Sequence, residues 1–155
     1  MKKNKTLIYL IIAIIFYLML RKKKDIPHSH DEQLTKNFTL KEFHSHDGSD
    51  MPYDVYVNVK KLATELQKVR DMVGVPLTIN SGYRSPALNA RTENAASNSL
   101  HMRGMAADIS SKKEKASDIY STIHQMISQG SITEGGLGSY NTFTHYDIRG
   151  TKARW

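Results

Sequence analysis

Two short stretches hold the residues most able to do chemistry. One runs Ser99-Leu100-His101-Met102-Arg103-Gly104-Met105-Ala106-Ala107-Asp108, and the other, further on, runs Phe143-Thr144-His145-Tyr146-Asp147. Two imidazoles and a carboxylate from separate segments suit a single zinc ion (Zn2+) held by His101, Asp108 and His145. Catalytic zinc commonly takes three N/O ligands and keeps a fourth position for a water that it acidifies.

These side chains need particular elements beneath them. His101 and Asp108 lie too far apart to share one helical turn, so the chain must bend between them. Gly104, with the small Ala106 and Ala107, allows that bend and close packing after it. Residues 104–109 then read as a strand presenting Asp108. Around His145, a period of two places Phe143, His145 and Asp147 on one face of a strand over residues 143–149 and Thr144, Tyr146 and Ile148 on the other.

Taken together, Ser-x-His-x-x-Gly-x-Ala-x-Asp, a later His-x-Asp with Arg149-Gly150, and a closing Ala153-Arg154-Trp155 resemble the zinc D-alanyl-D-alanine carboxypeptidase family, with its murein endopeptidase and phage endolysin relatives. The resemblance spans residues 37–155. It also takes in Phe38-Thr39-Leu40-Lys41-Glu42-Phe43, the Asp47-Gly48 turn and Ser81-Gly82-Tyr83-Arg84-Ser85. It implies a single α+β domain of the Hedgehog and DD-peptidase type: a small antiparallel sheet flanked by helices, with the metal cleft on the exposed face of the sheet. The implied reaction is zinc-assisted hydrolysis of an amide in a peptidoglycan stem or cross-link peptide.

Residue roles follow from the same resemblance. Arg84 comes after a strand and a glycine turn, where the family contacts substrate or developing negative charge. A planar guanidinium can grip a carboxylate or stabilise an oxyanion. Ser99 either bonds the substrate backbone or caps the turn that carries His101. Many relatives place a Glu, Asp or His three residues before the last histidine ligand, but Thr142 stands there and cannot act as a base. Relatives ending in His-x-Asp carry a carboxylate two residues later. Asp147 matches that pattern, as the general base or as a group that orients a ligand. The missing base also leaves open a non-catalytic reading, in which a zinc-stabilised module binds cell wall or belongs to a phage particle.

Elsewhere the signals are structural. Val55, Val59, Leu62, Leu66, Val69 and Val73 recur at helical spacing until Gly74 and Pro76 stop the run, and Ala116, Ile119, Tyr120, Ile123 and Ile127 mark a second helix. Residues 77–80 read as a short strand and residues 87–91 as a short helix. Phe38, Phe43, Tyr83 and Trp155 read as packing residues. His28-Ser29-His30 and His44-Ser45-His46-Asp47 read as solvated loop histidines without a matching third ligand. The glycine run from Gly135 to Gly138 lacks the lysine and following helix of a phosphate loop.

Charge and composition narrow the partners. The chain has 155 residues, no cysteine and a formal charge of +7. Residues 1–24 hold seven bases and no acid, so the remainder balances 15 Lys and Arg against 15 Asp and Glu. The excess therefore flanks the apolar run at residues 7–20, which favours an anionic lipid surface over nucleic acid. That run would span about 21 Å as a helix, short of a full bilayer, and no small-residue cleavage pattern follows it. An uncleaved N-terminal membrane anchor over residues 1–24 is expected, then a polar tether over 25–36 and a peptidase domain over 37–155. The catalytic domain would lie outside the cytoplasmic membrane as a monomer.

Overall fold

A computed structural model describes residues 8–15 and 29–155. Helix α1, Tyr53–Val73, carries the expected aliphatic stripe inward: Val55, Val59, Leu62, Leu66 and Val69 are all buried. It ends where Gly74 turns left-handed (φ 75°) and returns its amide to the Arg70 carbonyl, a conformation that costs glycine least. Helix α2 is the short Pro86–Arg91, and α3 is Ala116–Ser128. Ile119, Ile123, Met126 and Ile127 of α3 pack into the same core as the α1 stripe.

The sheet contains β1 (Thr78–Ser81), β2 (Ala106–Ser110), β3 (Gly136–Ser139), β4 (Thr144–Asp147) and β5 (Ala153–Arg154), in the order β1-β2-β4-β3-β5. Alternation divides its residues cleanly. Ala107 and Ile109 of β2, Leu137 of β3 and Tyr146 of β4 join the core beneath the helices, which leaves Asp108 and His145 on the opposite face. The Tyr146 hydroxyl donates to the Thr133 carbonyl (2.7 Å), so the one polar atom of this fully buried ring is satisfied.

The chain forms the expected single α+β domain, with a sheet that is mixed rather than wholly antiparallel. Its four longer strands pair antiparallel, but β5 runs parallel to β3. After β4 the chain turns through Gly150 (φ 80°) and pairs with the far edge of β3. Because β4 is antiparallel to β3, a return strand beyond β3 runs with it. Two residues are too few for a hydrophobic period to announce such a strand.

The lead-in segment supports the site from behind. Phe38 and Phe43 are fully buried in an edge-on contact, and the short 3-10 helix Leu40–Phe43 is closed by Glu42, which accepts from the Thr39 amide at 2.7 Å. Residues 32–36 also lie against α1. Tyr56 donates to Glu32 (2.8 Å), and Gln67 accepts from the Thr35 hydroxyl (2.9 Å). Of the expected anchor, residues 8–15 are helical and the rest falls outside the described residues. Among the described residues no helix is long and apolar enough to cross a membrane, so the spanning helix expected there is not shown.

Candidate metal centre

On the open face of the sheet, one row of residues crosses four strands. Ser81 pairs with Asp108, Asp108 with His145, and His145 with Gly138. Directly opposed residues on neighbouring strands project side by side, which brings a carboxylate and an imidazole together from positions far apart in sequence. His101 arrives from above, on the 3-10 turn Leu100–Arg103. The Ser99 hydroxyl caps that turn by accepting from the His101 amide (3.3 Å). Gly104 closes it in a left-handed conformation (φ 65°), packed so tightly on Val55 and Val59 of α1 that a side chain would collide.

The three candidate ligand atoms form a small triangle. His145 Nδ1 lies 2.8 Å from Asp108 Oδ1, His101 Nε2 lies 3.4 Å from the same oxygen, and the two ring nitrogens are 3.3 Å apart. A tetrahedral ion with bonds of about 2.0–2.1 Å requires ligand-to-ligand edges of about 3.3 Å. Two edges match and the third is shorter, as a direct hydrogen bond would make it. Among the described residues this is the one group of His, Cys, Asp or Glu side chains arranged to hold a metal ion.

A second layer fixes the ring orientations. His101 Nδ1 faces the Gly82 carbonyl at 2.8 Å, and His145 Nε2 faces Asp147 Oδ2 at 3.4 Å. Each outward nitrogen has an acceptor for its proton, so each inward nitrogen can offer a lone pair to a metal. Gly82 is confined by the Phe43 backbone, which an added Cβ would strike. The lead-in segment thereby sets the carbonyl that orients His101.

Burial alone would raise the Asp108 carboxyl, but hydrogen bonds from His101 and His145 outweigh it and hold Asp108 well below the usual carboxylate range. For His145, burial favours the neutral ring. Hydrogen bonds to Asp108 and Asp147 reverse the balance and lift it above its ordinary value of 6.5.

Asp147 shares the face of His145, as the alternation requires, yet it is fully buried. Its carboxylate accepts from Arg149 Nε (2.9 Å) and Nη2 (2.6 Å) and from the Gly136 amide (2.9 Å). The imidazole stands between it and the ligand triangle, because Asp147 meets Nε2 while Nδ1 points to Asp108. The glycine run has its explanation here: a Cβ at Gly135 or Gly136 would collide with Asp147. Gly136 makes room for the buried carboxylate, and Gly135 for the Asp147 main-chain carbonyl.

Arg84 lies beside the cluster, its side chain mostly buried. Nη2 is 3.7 Å from Asp108 Oδ2 and 3.4 Å from the Ser81 hydroxyl, and Nη1 is 3.3 Å from Asn89 Oδ1. The loop behind it is tied down by Asp47, which accepts from the hydroxyls of Ser85 (2.6 Å) and Ser45 (2.7 Å). Those two bonds hold the Asp47 carboxyl far below its ordinary pKa. Of the other histidine pairs, His30 and His44 stack at 4.0 Å, while His28 lies outside the described residues. From sequence alone, Arg149 and Gly82 enter the motifs without a role, and Asn89 carries none. The period-two pattern that placed His145 and Asp147 together extends to Arg149, so that residue had a signal; Asn89 and Gly82 had none.

An open three-donor N/O site on one face of a sheet, with each histidine oriented by its own acceptor, is the arrangement of a metal-dependent hydrolase. The chain belongs to the peptidase M15 family, whose model matches residues 33–147 and so covers all three candidate ligands. Comparison with the curated proteins finds no match.

Proposed function

We propose that the protein is a zinc-dependent peptidase that hydrolyses amide bonds in peptidoglycan stem or cross-link peptides. The observation that carries the reading is the triangle of His101, Asp108 and His145, with edges of 2.8, 3.3 and 3.4 Å, in a chain of a peptidase family. Two imidazoles with one carboxylate favour zinc over magnesium or calcium, which prefer all-oxygen sites. When bound, zinc supplies Lewis acidity toward a peptide carbonyl and acidifies water.

The chain's own side chains do the rest. Arg84, held by Asn89 and Ser81 beside Asp108, places a fixed positive charge where a substrate carboxylate or a developing oxyanion lies. Asp147 acts as a positioning residue: it accepts the Nε2 proton of His145 and keeps Nδ1 turned to the cluster. Ser99 shapes the His101 turn through its cap, and its contact with substrate belongs to this proposal as well. The peptidoglycan substrate rests on the motif resemblance. A wall substrate places the domain outside the cytoplasmic membrane, tethered by the basic, apolar N-terminal segment.

Incubating the purified protein with cell wall, with and without a chelator, tests this. Chelator-sensitive release of muropeptides, sized by mass spectrometry, is expected and would also identify the bond cut. A specific observation favours a second reading, a zinc-stabilised wall-binding module: Thr142 occupies the usual base position and Asp147 is walled off behind His145. Wall binding by a zinc-replete protein that releases nothing would select it.

A further inference from the structure

We infer that the indole of Trp155, backed by Tyr140 and Phe143, forms the wall of the substrate cleft on the His145 side. It takes a short aliphatic residue of an anionic peptide, within about two residues of the bond cut. The inference rests on the peptidase reading above and adds to it which part of the substrate is read and by what.

Outside helix 8–15, the large hydrophobic residues exposed among the described residues are Met72, Tyr140 and Trp155. The last two touch each other, and Trp155 also adjoins the metal centre. Trp155 Nε1 donates to the Tyr140 hydroxyl (2.8 Å), and the indole centroid lies 5.1 Å from that of His145. Trp155 is nevertheless 49% exposed and Tyr140 42%. A merely structural aromatic would be expected to bury more of its surface.

This surface is also rigid. The Trp155 carbonyl accepts from the Ser139 amide (2.9 Å), and Tyr140 stacks on Phe143 at 4.3 Å. Gly138 stands at the position paired with His145, and a Cβ there would come within 2.7 Å of indole atoms. The glycine lets the ring lie close against the strand. A preformed wall binds a ligand without first having to be ordered.

Its chemistry selects the ligand. Because the indole N–H is already spent on Tyr140, the remaining exposed surface is ring carbon, suited to aliphatic groups. The Arg149 guanidinium sits 5.8 Å from the indole centroid, and Arg84 stands at the Asp108 end of the cluster. Because Arg149 is paired with Asp147 (2.6 Å), the positive charge that can meet a peptide carboxylate is that of Arg84. Reach favours peptide over glycan. An extended chain advances about 3.3–3.6 Å per residue, so a wall adjoining a ligand histidine meets the residues nearest the reacting carbonyl.

Trp155 is the sole tryptophan of the chain, so its emission reports directly. The zinc-loaded full chain is mixed with a synthetic stem pentapeptide ending in D-alanine, or with chitotetraose as a peptide-free glycan, and emission is read within seconds, before turnover. A saturable change with the pentapeptide alone is expected. Trp155→Ala should raise KM for the pentapeptide about tenfold or more, with kcat within about threefold and zinc content unchanged, and Trp155→Phe should recover most of the loss. Silence with the pentapeptide, a response to chitotetraose instead, or an unchanged KM in Trp155→Ala would overturn the inference. If wild type bound the pentapeptide with an emission change but hydrolysed nothing, the peptidase reading would fall and the subsite would stand. If wild type hydrolysed and Trp155→Ala kept its KM, the reverse would hold.

Discussion

Replacing Asp147 with Asn separates two roles that the same carboxylate could hold. The side chain is fully buried and accepts from Gly136, from Arg149 and from His145 Nε2. An asparagine keeps one acceptor oxygen and brings an amide that can only donate. With the oxygen toward the Gly136 amide, that amide faces the Arg149 Nη2 and the His145 Nε2 proton, donor against donor. Losing a charge-assisted hydrogen bond costs about 1.5–3 kcal/mol. We take one bond's worth, since Arg149 is a third exposed and can rehydrate. Loss of a group that orients a metal-binding histidine typically weakens metal affinity about 10–100-fold.

If Asp147 positions His145, the variant binds zinc about 10–100-fold more weakly, as measured by competition with a chromophoric chelator, and recovers most of its hydrolysis once zinc is saturating. A general base, by contrast, contributes about 10²–10⁴-fold to the rate whatever the zinc concentration. Unchanged zinc affinity with hydrolysis still down a hundredfold or more at saturating zinc would refute the positioning argument.

Arg84→Lys keeps the charge but loses the fork that spans Asn89 and Ser81; kcat/KM for a wall peptide should fall by about 10²-fold with zinc content unchanged, and an undiminished kcat/KM would remove Arg84 from the reaction. Zinc must displace the proton that the raised pKa keeps on His145, so affinity should already weaken as pH falls toward 6.5 from above, with proton release seen by calorimetry in buffers of different ionisation heat; a flat affinity between about pH 8 and 6 would contradict this. Asp47 has a depressed folded pKa, so its contribution to stability is present above the ordinary value of 3.8 and is lost as pH falls below it. The stability gap between wild type and Asp47→Asn, followed by urea unfolding, should accordingly be constant at neutral pH and close in acid. Gly136→Ala drives a methyl into the Asp147 carboxylate and should lower both the melting temperature and zinc affinity, whereas Gly48→Ala, strained by its left-handed backbone (φ 76°) but meeting no neighbour, should lower the melting temperature alone.

The amino-acid sequence by itself pointed to the candidate ligand set and to the elements that carry it. Residue type and local period sufficed for that: His101 before a glycine turn, Asp108 and His145 alternating against apolar neighbours, and an aliphatic stripe of three and four ending at Gly74. Each signal lies within a single helix, strand or turn, where backbone geometry alone dictates which side chains share a face. Tertiary structure decided what depends on pairing between distant segments. Only the register of β2 on β4 sets Asp108 beside His145, and only the return of β5 along β3 brings Trp155 against that histidine. The same packing set Asp147 as a buried carboxylate behind the His145 ring, and it explains a glycine run by the Asp147 backbone and the side chains for which it makes room. Such facts are invisible in one dimension because they are contacts between residues whose separation in sequence says nothing of their separation in space.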